Sequence, residues 1–503
     1  MKAIPTSTEP ESASTGPEGK LHRLIFMFVP VLVAVLLLLI PVPSGLQPYA
    51  WHFFAIFAGV IVGLICEALP GAVIGLTGVV VIALGAQWLL FSPAEMSAPK
   101  FDLATQSFTW AVSGFANSTV WLIFGAFMFV AGYDKTHFGR RLALILVKYL
   151  GRRSLTLGYA ITFADLLLAP FTPSNTARSG GTIYPIIAHL PPLYGSIPHD
   201  PSARKIGSYL MWVAITSTCI TSSMFLSALA PNLLAIALVK DIVGITISWG
   251  DWFIAFLPLG VLLILTMPLL VYWIYPPEIK INDEVPRWAS EELGKLGRLS
   301  RNEILLLVFV FCALAMWIFA AQWIEPALAA LLVVTLMLWT GVLEWSDISN
   351  NKAAWNTFVW FATLIALADG LSSTGFIGWL GDEVGTLMVG IPPLQASILL
   401  LVAFYLLHYL FASTTAHATA LLPAMLTIAS TIPGINMQVF CLMIVTSMGI
   451  MGIITPYGTG PSPIYYGSGY LPTADYWRLG AIFGAFFLIA LLVIGYPWMT
   501  MMF

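Results

Sequence analysis

Two short polar strings sit in matching places of an otherwise apolar chain: Pro173-Ser174-Asn175-Thr176-Ala177-Arg178 and Ala412-Ser413-Thr414-Thr415-Ala416-His417. Each lies between two apolar arms too short to cross a bilayer comfortably, the arm pairs spanning 154–190 and 394–431. Polar backbone at membrane depth is tolerated only where protein buries it or where it lines a watery cavity. Both strings therefore read as the tips of re-entrant hairpins. One tip per half of the chain predicts a solute site where two repeats meet. Arg178 and His417, near the string ends, predict that the solute is an anion.

Composition fixes the surroundings. Hydrophobic residues make up 59% of the 503 and charged residues 9%, against roughly 25% charge in soluble domains. The expected class is an all-α polytopic membrane protein whose main partner is the lipid bilayer. Crossings are predicted near 24–42, 50–69, 71–91, 118–133, 206–240, 252–275, 302–323, 326–342, 358–371, 437–463 and 477–500, eleven in all, with the two hairpins besides. Residues 1–23 are expected to form a disordered N-terminus, rich in Ser, Thr, Pro and Glu near its start. It resembles neither a cleavable signal nor a transit peptide. Cys66, Cys219, Cys312 and Cys441 all fall in apolar segments without metal-ligand spacing, so they read as packing residues. Nothing calls for a cofactor, a metal ion or a nucleic acid; the net charge is −3.

Charge sets the orientation. With the N-terminus inside, eighteen Lys and Arg residues fall on the cytoplasmic side, Lys100 and Lys240 fall outside, and Arg178 alone stays at membrane depth. The C-terminus is then external, in a bacterial-type cytoplasmic membrane. The charged segment 276–301 links the halves inside. Residues 137–151 set Arg140, Arg141 and Lys148 among Leu142, Ile145, Leu146 and Tyr149, which fits an interfacial helix or a plain stop-transfer cluster equally.

The halves repeat. Thr119 and Thr357, Gly132 and Gly370, Thr136 and Thr374, Phe138 and Phe376, and Leu142 and Leu380 each stand 238 positions apart. Ser174 and Ser413, and Thr176 and Thr415, stand 239 apart. The predicted topology sends the first hairpin in from the cytoplasm and the second from outside, so the repeats are inverted.

At each tip, small hydroxyl and amide residues begin a helix whose free N–H groups can hold an anion. Two tips suit a solute with a carboxylate at each end. Candidate binding residues are Ser174, Asn175, Thr176, Ser413, Thr414 and Thr415. Two crossings are also interrupted, at Ser222–Asn232 and, more strongly, at Thr455-Pro456-Tyr457-Gly458-Thr459-Gly460-Pro461-Ser462-Pro463, which adds Thr459 and Pro461. Arg178 and His417 are candidate fixed cations, since a charge at this depth is normally functional or paired. The alternative for Arg178 is a structural bond to Asp165. His408, Asp134 and Asp369 read as structural.

Ser174-Asn175-Thr176, with Ser-Asn-Thr-Ala-Arg-Ser-Gly-Gly at 174–181, Phe-Ala-Ser-Thr-Thr-Ala-His at 411–417 and Gly-Thr-Gly-Pro at 458–461, resembles the divalent anion/sodium symporter family. The likeness is to its branch of 2-oxoglutarate/malate translocators and citrate or tartrate/succinate exchangers. It implies a homodimeric elevator carrier of small dicarboxylates, with substrate contacts at Asn175, Thr176, the second-tip hydroxyls and Thr459. With the repeat symmetry it implies a scaffold of 24–91 and 252–342 (including linker 276–301), a transport domain of 118–243 and 358–475, and a C-terminal helix at 477–503. The second tip lacks the middle Asn of sodium-coupled members. Built-in cations in place of dissociable sodium predict sodium-independent exchange, with a sodium-coupled di- or tricarboxylate symporter as the rival. A channel is disfavoured by the absence of a charged pore ring. An intramembrane hydrolase at Gly467-Ser468-Gly469 is disfavoured because no His is placed to activate the serine, so no enzyme is expected.

Overall fold

The structure is a computed structural model that describes residues 17–66, 69–320, 322–387 and 390–503. Among these the chain is helical throughout; β-structure amounts to one isolated bridge between Arg153 and Ile281. Seven helices are long and apolar enough to cross a bilayer: Pro48–Cys66, Ser154–Phe171, Trp249–Ile274, Arg301–Phe319, Lys352–Ser373, Pro393–Leu410 and Thr473–Met502. Leu103–Ala116 and Ser118–Thr136, bent by 42° at Asn117, add an eighth when counted as one span. The segment before this bend was not foreseen from the sequence, where Thr105, Gln106, Ser107 and Thr109 mask the helical pattern.

Some expected crossings are shorter than predicted. Gly71–Leu84 ends at Gly85 and Pro326–Thr340 ends at Gly341, which has φ +76°. Glycine in the left-handed region stops a helix without steric cost.

The repeat is visible as a repeated order of elements. Ser118–Thr136 turns into Phe138–Leu150, and Lys352–Ser373 turns towards Phe376–Leu387. The two corners fall at matched positions in the same left-handed conformation: His137 at φ +58° and Gly375 at φ +83°. A hairpin follows each corner. The first runs down Ser154–Leu168 and returns as Thr176–Ile183, and the second runs down Pro393–Leu407 and returns as Thr414–Thr431. A broken helix follows each hairpin: Gly207–Met224 with Ala230–Val243, and Met437–Ile450 with Pro461–Gly467. The broken helices cross where Ser223 Oγ accepts Ile450 N–H at 2.9 Å. A Cβ on Gly449 would lie 2.5 Å from Ser223 N, so only glycine permits that approach.

Phe138–Leu150 buries Gly139, Arg141, Ala143, Leu144 and Val147 and exposes Arg140, Ile145, Lys148 and Tyr149. Arg141 thus faces protein and not a lipid surface. It bonds Glu303 at 2.6 Å and takes the carbonyl of Gly297 at 2.8 Å. The linker 276–301 is ordered. Its helix Glu284–Leu296 packs along Phe138–Leu150, and Arg140 pairs with Glu292 at 2.8 Å. The segment before it joins the first hairpin's base, with Ser154 N–H donating to Lys280 O at 2.9 Å and Asn282 Nδ2 to Leu193 O at 2.9 Å.

Helix Trp249–Ile274 was expected to belong with 301–342. Most of its packing is on the first hairpin and first break, with a smaller contact to Arg301–Phe319. Trp252 Nε1 donates to Ser223 O at 2.8 Å, Trp249 Nε1 to Ser227 Oγ at 3.1 Å, and Tyr159 OH to Leu265 O at 2.6 Å. The last helix joins the same group: Trp498 Nε1 donates to Ile254 O at 2.8 Å and Tyr405 OH to Gly484 O at 3.0 Å.

Candidate functional site: a cavity between the hairpin tips

A proline or a run of small polar residues cannot continue a helix and also leave its backbone groups unpaired in a membrane, so each break must find partners. At the first break Phe225 and Leu229 are extended and flank a short 3₁₀ turn. Its freed carbonyls are taken by side chains: Asn232 Nδ2 donates to Ser222 O at 2.7 Å, and Arg178 Nη1 to Ala228 O at 2.8 Å. At the second break Gly458 O accepts His408 Nε2 at 2.9 Å and Thr414 Oγ1 at 3.2 Å. Asn175 Nδ2 donates to Thr459 Oγ1 at 2.7 Å, tying the first tip to the second break. A Cβ on Gly460 would strike Thr176 Oγ1, so this contact also depends on glycine.

These elements enclose a cavity of about 240 Å³. Ser174, Asn175, Thr176, Ser413, Thr414, Thr415 and Thr459 all line it. Pro461 does not; it stands one residue beyond Gly460, which does. Residues that the sequence reading missed complete the wall: Pro173, Leu229, Ala230 and Pro231 from the tip and first break, and Phe127, Thr357, Trp360 and Phe361 from the two corner-bearing helices. Thr357 carried a signal, since it matches Thr119 in the repeat; Phe127, Trp360 and Phe361 are indistinguishable in sequence from other apolar residues.

Three helices begin at this wall: Thr176–Ile183 after Asn175, Ala230–Val243 after Leu229, and Thr414–Thr431 after Ser413. Ser174 Oγ accepts Ala177 N–H at 3.2 Å and Ser413 Oγ accepts Ala416 N–H at 3.5 Å, which fixes both tips. Among the described residues, none that lines the cavity is ionisable at neutral pH. Its electrostatics are those of helix starts and hydroxyl donors, which favour an anion.

Arg178 and His417 lie outside the cavity wall. Arg178 is fully buried and makes an ion pair with Asp165 at 2.9 Å. It also donates to Thr172 O at 2.9 Å, Ser222 Oγ at 3.1 Å, and Thr218 and Thr221 Oγ1 at 3.3 Å each. The alternative partner proposed from the sequence, Asp165, is therefore the observed one. His417 is also fully buried, with ring centroids 4.3 Å from Phe404, 4.9 Å from His408 and 5.0 Å from Phe411. Neither of its nitrogens has a hydrogen-bond partner among the described residues. No hydrogen-bond acceptor among the described residues is in place to hold a proton on it, so this geometry gives no support to a cationic His417.

The Sodium:sulfate symporter transmembrane region model matches residues 21–503. The chain belongs to the divalent anion/sodium symporter family. It is 54% identical to the L-tartrate/succinate antiporter of Shigella sonnei (strain Ss046) over 470 residues, 93% of this chain and 96% of that one. It is 53% identical to the L-tartrate/succinate antiporter of Escherichia coli (strain K12) over the same shares. Among solved structures, the Alcanivorax borkumensis YdaH transporter is similar with a TM-score of 0.55 at 12% identity, covering 91% of this chain and 99% of that one. That likeness is one of fold alone. The family and the all-helical fold are those expected from the tips and breaks.

Proposed function

We propose that the protein exchanges small dicarboxylates across the cytoplasmic membrane by sodium-independent antiport. The C4 acids tartrate and succinate are the leading pair, and malate and the C5 acid 2-oxoglutarate are further candidates. The observation that carries this reading is the cavity itself, where both tips and both breaks present hydroxyl, amide and helix-start donors without any ionised side chain. Relatives at 53–54% identity that bear the name L-tartrate/succinate antiporter support the substrate class and the exchange.

Each end of a dianion meets one tip. Ser174, Asn175 and Thr176 hold one carboxylate; Ser413, Thr414 and Thr415 hold the other; Thr459 braces the first group. Arg178 acts without touching the solute. Its guanidinium bonds the carbonyls of Thr172 and Ala228, each one residue from the wall. Asp165 neutralises it from behind, and the end of this dipole nearer the cavity is positive. A vacant cavity leaves these donors and dipoles unanswered at membrane depth. A dianion answers them, and obligatory exchange requires that the loaded carrier cross faster than the empty one.

The moving body is the hairpins and broken helices together with Trp249–Ile274 and Thr473–Met502. The fixed body is 24–91 with 301–342, paired across a homodimer interface; the corner-bearing helices, expected from the sequence in the transport domain, are assigned to it because they pack along Gly71–Leu84 and Pro326–Thr340. The N-terminus is cytoplasmic.

Counterflow tests the reading. Proteoliposomes loaded with succinate should take up labelled succinate or tartrate in sodium-free buffer, and unloaded ones should take up little. Strong uptake into unloaded vesicles under a sodium gradient would establish the symporter instead.

A further inference from the structure

We propose that Thr357 is a specificity residue that reads hydroxyl groups on the solute and so favours hydroxylated dicarboxylates over their methylene counterparts. The inference rests on the dicarboxylate reading of the same cavity. It follows from the direction in which the hydroxyls of Ser174, Ser413, Thr459, Thr414 and Thr357 are already committed. Ser174 and Ser413 Oγ accept backbone N–H groups, and Thr459 Oγ1 accepts the amide of Asn175. Each of these hydroxyls therefore keeps its own hydrogen to donate, which is what a carboxylate needs.

Thr357 is committed the opposite way. Its Oγ1–H is donated to Ala353 O at 2.8 Å, one turn back along its own helix. What remains towards the cavity is lone-pair capacity alone. A carboxylate oxygen gains nothing there and a methylene group leaves it idle, whereas a solute hydroxyl can donate to it. Trp360 and Phe361, which share this wall, offer the solute an apolar surface. Thr414 is acceptor-committed too, through Gly458 O, but it sits within a tip, at the carboxylate end. Thr357 comes from a different element, helix Lys352–Ser373, and is partly exposed. A site that hydrogen-bonds a substrate hydroxyl discriminates against the analogue that lacks it.

The test is a ratio. In full-length reconstituted protein, the apparent affinities for L-tartrate and succinate are measured by competition against labelled succinate counterflow. The wild type should prefer tartrate. Thr357→Val keeps the side-chain shape and removes the acceptor, and should lower the tartrate-to-succinate affinity ratio roughly fivefold, the worth of one neutral hydrogen bond. Thr357→Ser should retain the ratio, and Thr357→Ala should lose it as Val does. A general packing defect would weaken both ligands together and leave the ratio unchanged. The same ratio is read by ligand-induced thermal stabilisation of detergent-solubilised protein, which needs no transport. Failure of counterflow in the wild type would remove the exchange reading while leaving this binding comparison intact. A wild-type protein with no tartrate preference, or a ratio unmoved by both Thr357→Val and Thr357→Ala, would overturn the assignment.

Discussion

Arg178 and His417 hold the same place in the two repeats and live in opposite surroundings. The residues facing them are equally matched: Asp165 and Phe404 also stand 239 positions apart. One repeat builds a buried ion pair there and the other a pair of rings 4.3 Å apart. Arg178→Ala would strand Asp165 as an uncompensated buried charge. Its expected cost is about 3–5 kcal/mol, seen as a lowered thermal transition of the detergent-solubilised protein. The double change Arg178→Met with Asp165→Leu should recover most of that loss, because apolar replacement of a whole buried pair is often neutral. No recovery would mean that the guanidinium's bonds to Thr172 and Ala228 matter more than the charge pair. Asn175 gives a second prediction at this scale. Asn175→Ala removes the bond to Thr459 and a donor to the solute, so dicarboxylate affinity should fall about tenfold or more. Isothermal titration that finds wild-type affinity would move the solute away from the first tip. The tips themselves were legible because polar strings inside apolar arms have few alternatives in a membrane. The orientation of Arg178 was not: the spacing from Asp165 allows both a side chain facing the solute and one facing back, and only packing against Thr218, Thr221 and Ser222 decides between them.

At the scale of elements, the arm Phe138–Leu150 and the linker helix Glu284–Leu296 form a unit that neither segment's sequence describes alone. Amphipathic spacing marked the arm as a helix with one polar face. It could not say that Arg141 faces inward, because the partner Glu303 lies 162 positions away. Arg141 closes the C-terminal end of the linker helix through the carbonyls of Leu296, Gly297 and Arg298, while Ser300 and Glu303 cap the helix Arg301–Phe319. The pair is largely enclosed, with side chains 10% and 3% exposed. Arg141→Ala should therefore destabilise the protein by about 3–5 kcal/mol. Arg141→Lys should rescue little, since one ammonium cannot span the carboxylate and three carbonyls that the planar guanidinium reaches. Local opening should appear as faster backbone hydrogen exchange across 284–303. Unchanged exchange rates there in Arg141→Ala would show that packing of Val285 and Ala289 alone holds the linker.

Across the whole molecule, directed bonds join one group of helices, and the proposed carrier mechanism requires that this group slide past the rest. Hairpins, breaks, Trp249–Ile274 and Thr473–Met502 are joined by directed hydrogen bonds from Tyr159, Trp249, Trp252, Tyr405 and Trp498. Between this group and helix Arg301–Phe319 the contact near the first tip is of another kind: Phe171 and Phe311 meet edge-on with centroids 6.1 Å apart. An aromatic contact of this sort contributes about 0.5–1.5 kcal/mol beyond its buried area and has no fixed hydrogen-bond partner to lose, so it can break and reform as one body moves past another. Cysteines at Phe171 and Phe311, in a background without Cys66, Cys219, Cys312 and Cys441, should cross-link with a short thiol reagent and stop exchange, with a disulfide form restored by reductant. Cysteines at Tyr159 and Leu265 join two elements of one group, so their cross-link should leave counterflow running. If the 171–311 cross-link forms completely and counterflow continues at the uncross-linked rate, these two groups do not move past each other at the first tip, and solute must reach both sides by motion of the tips alone.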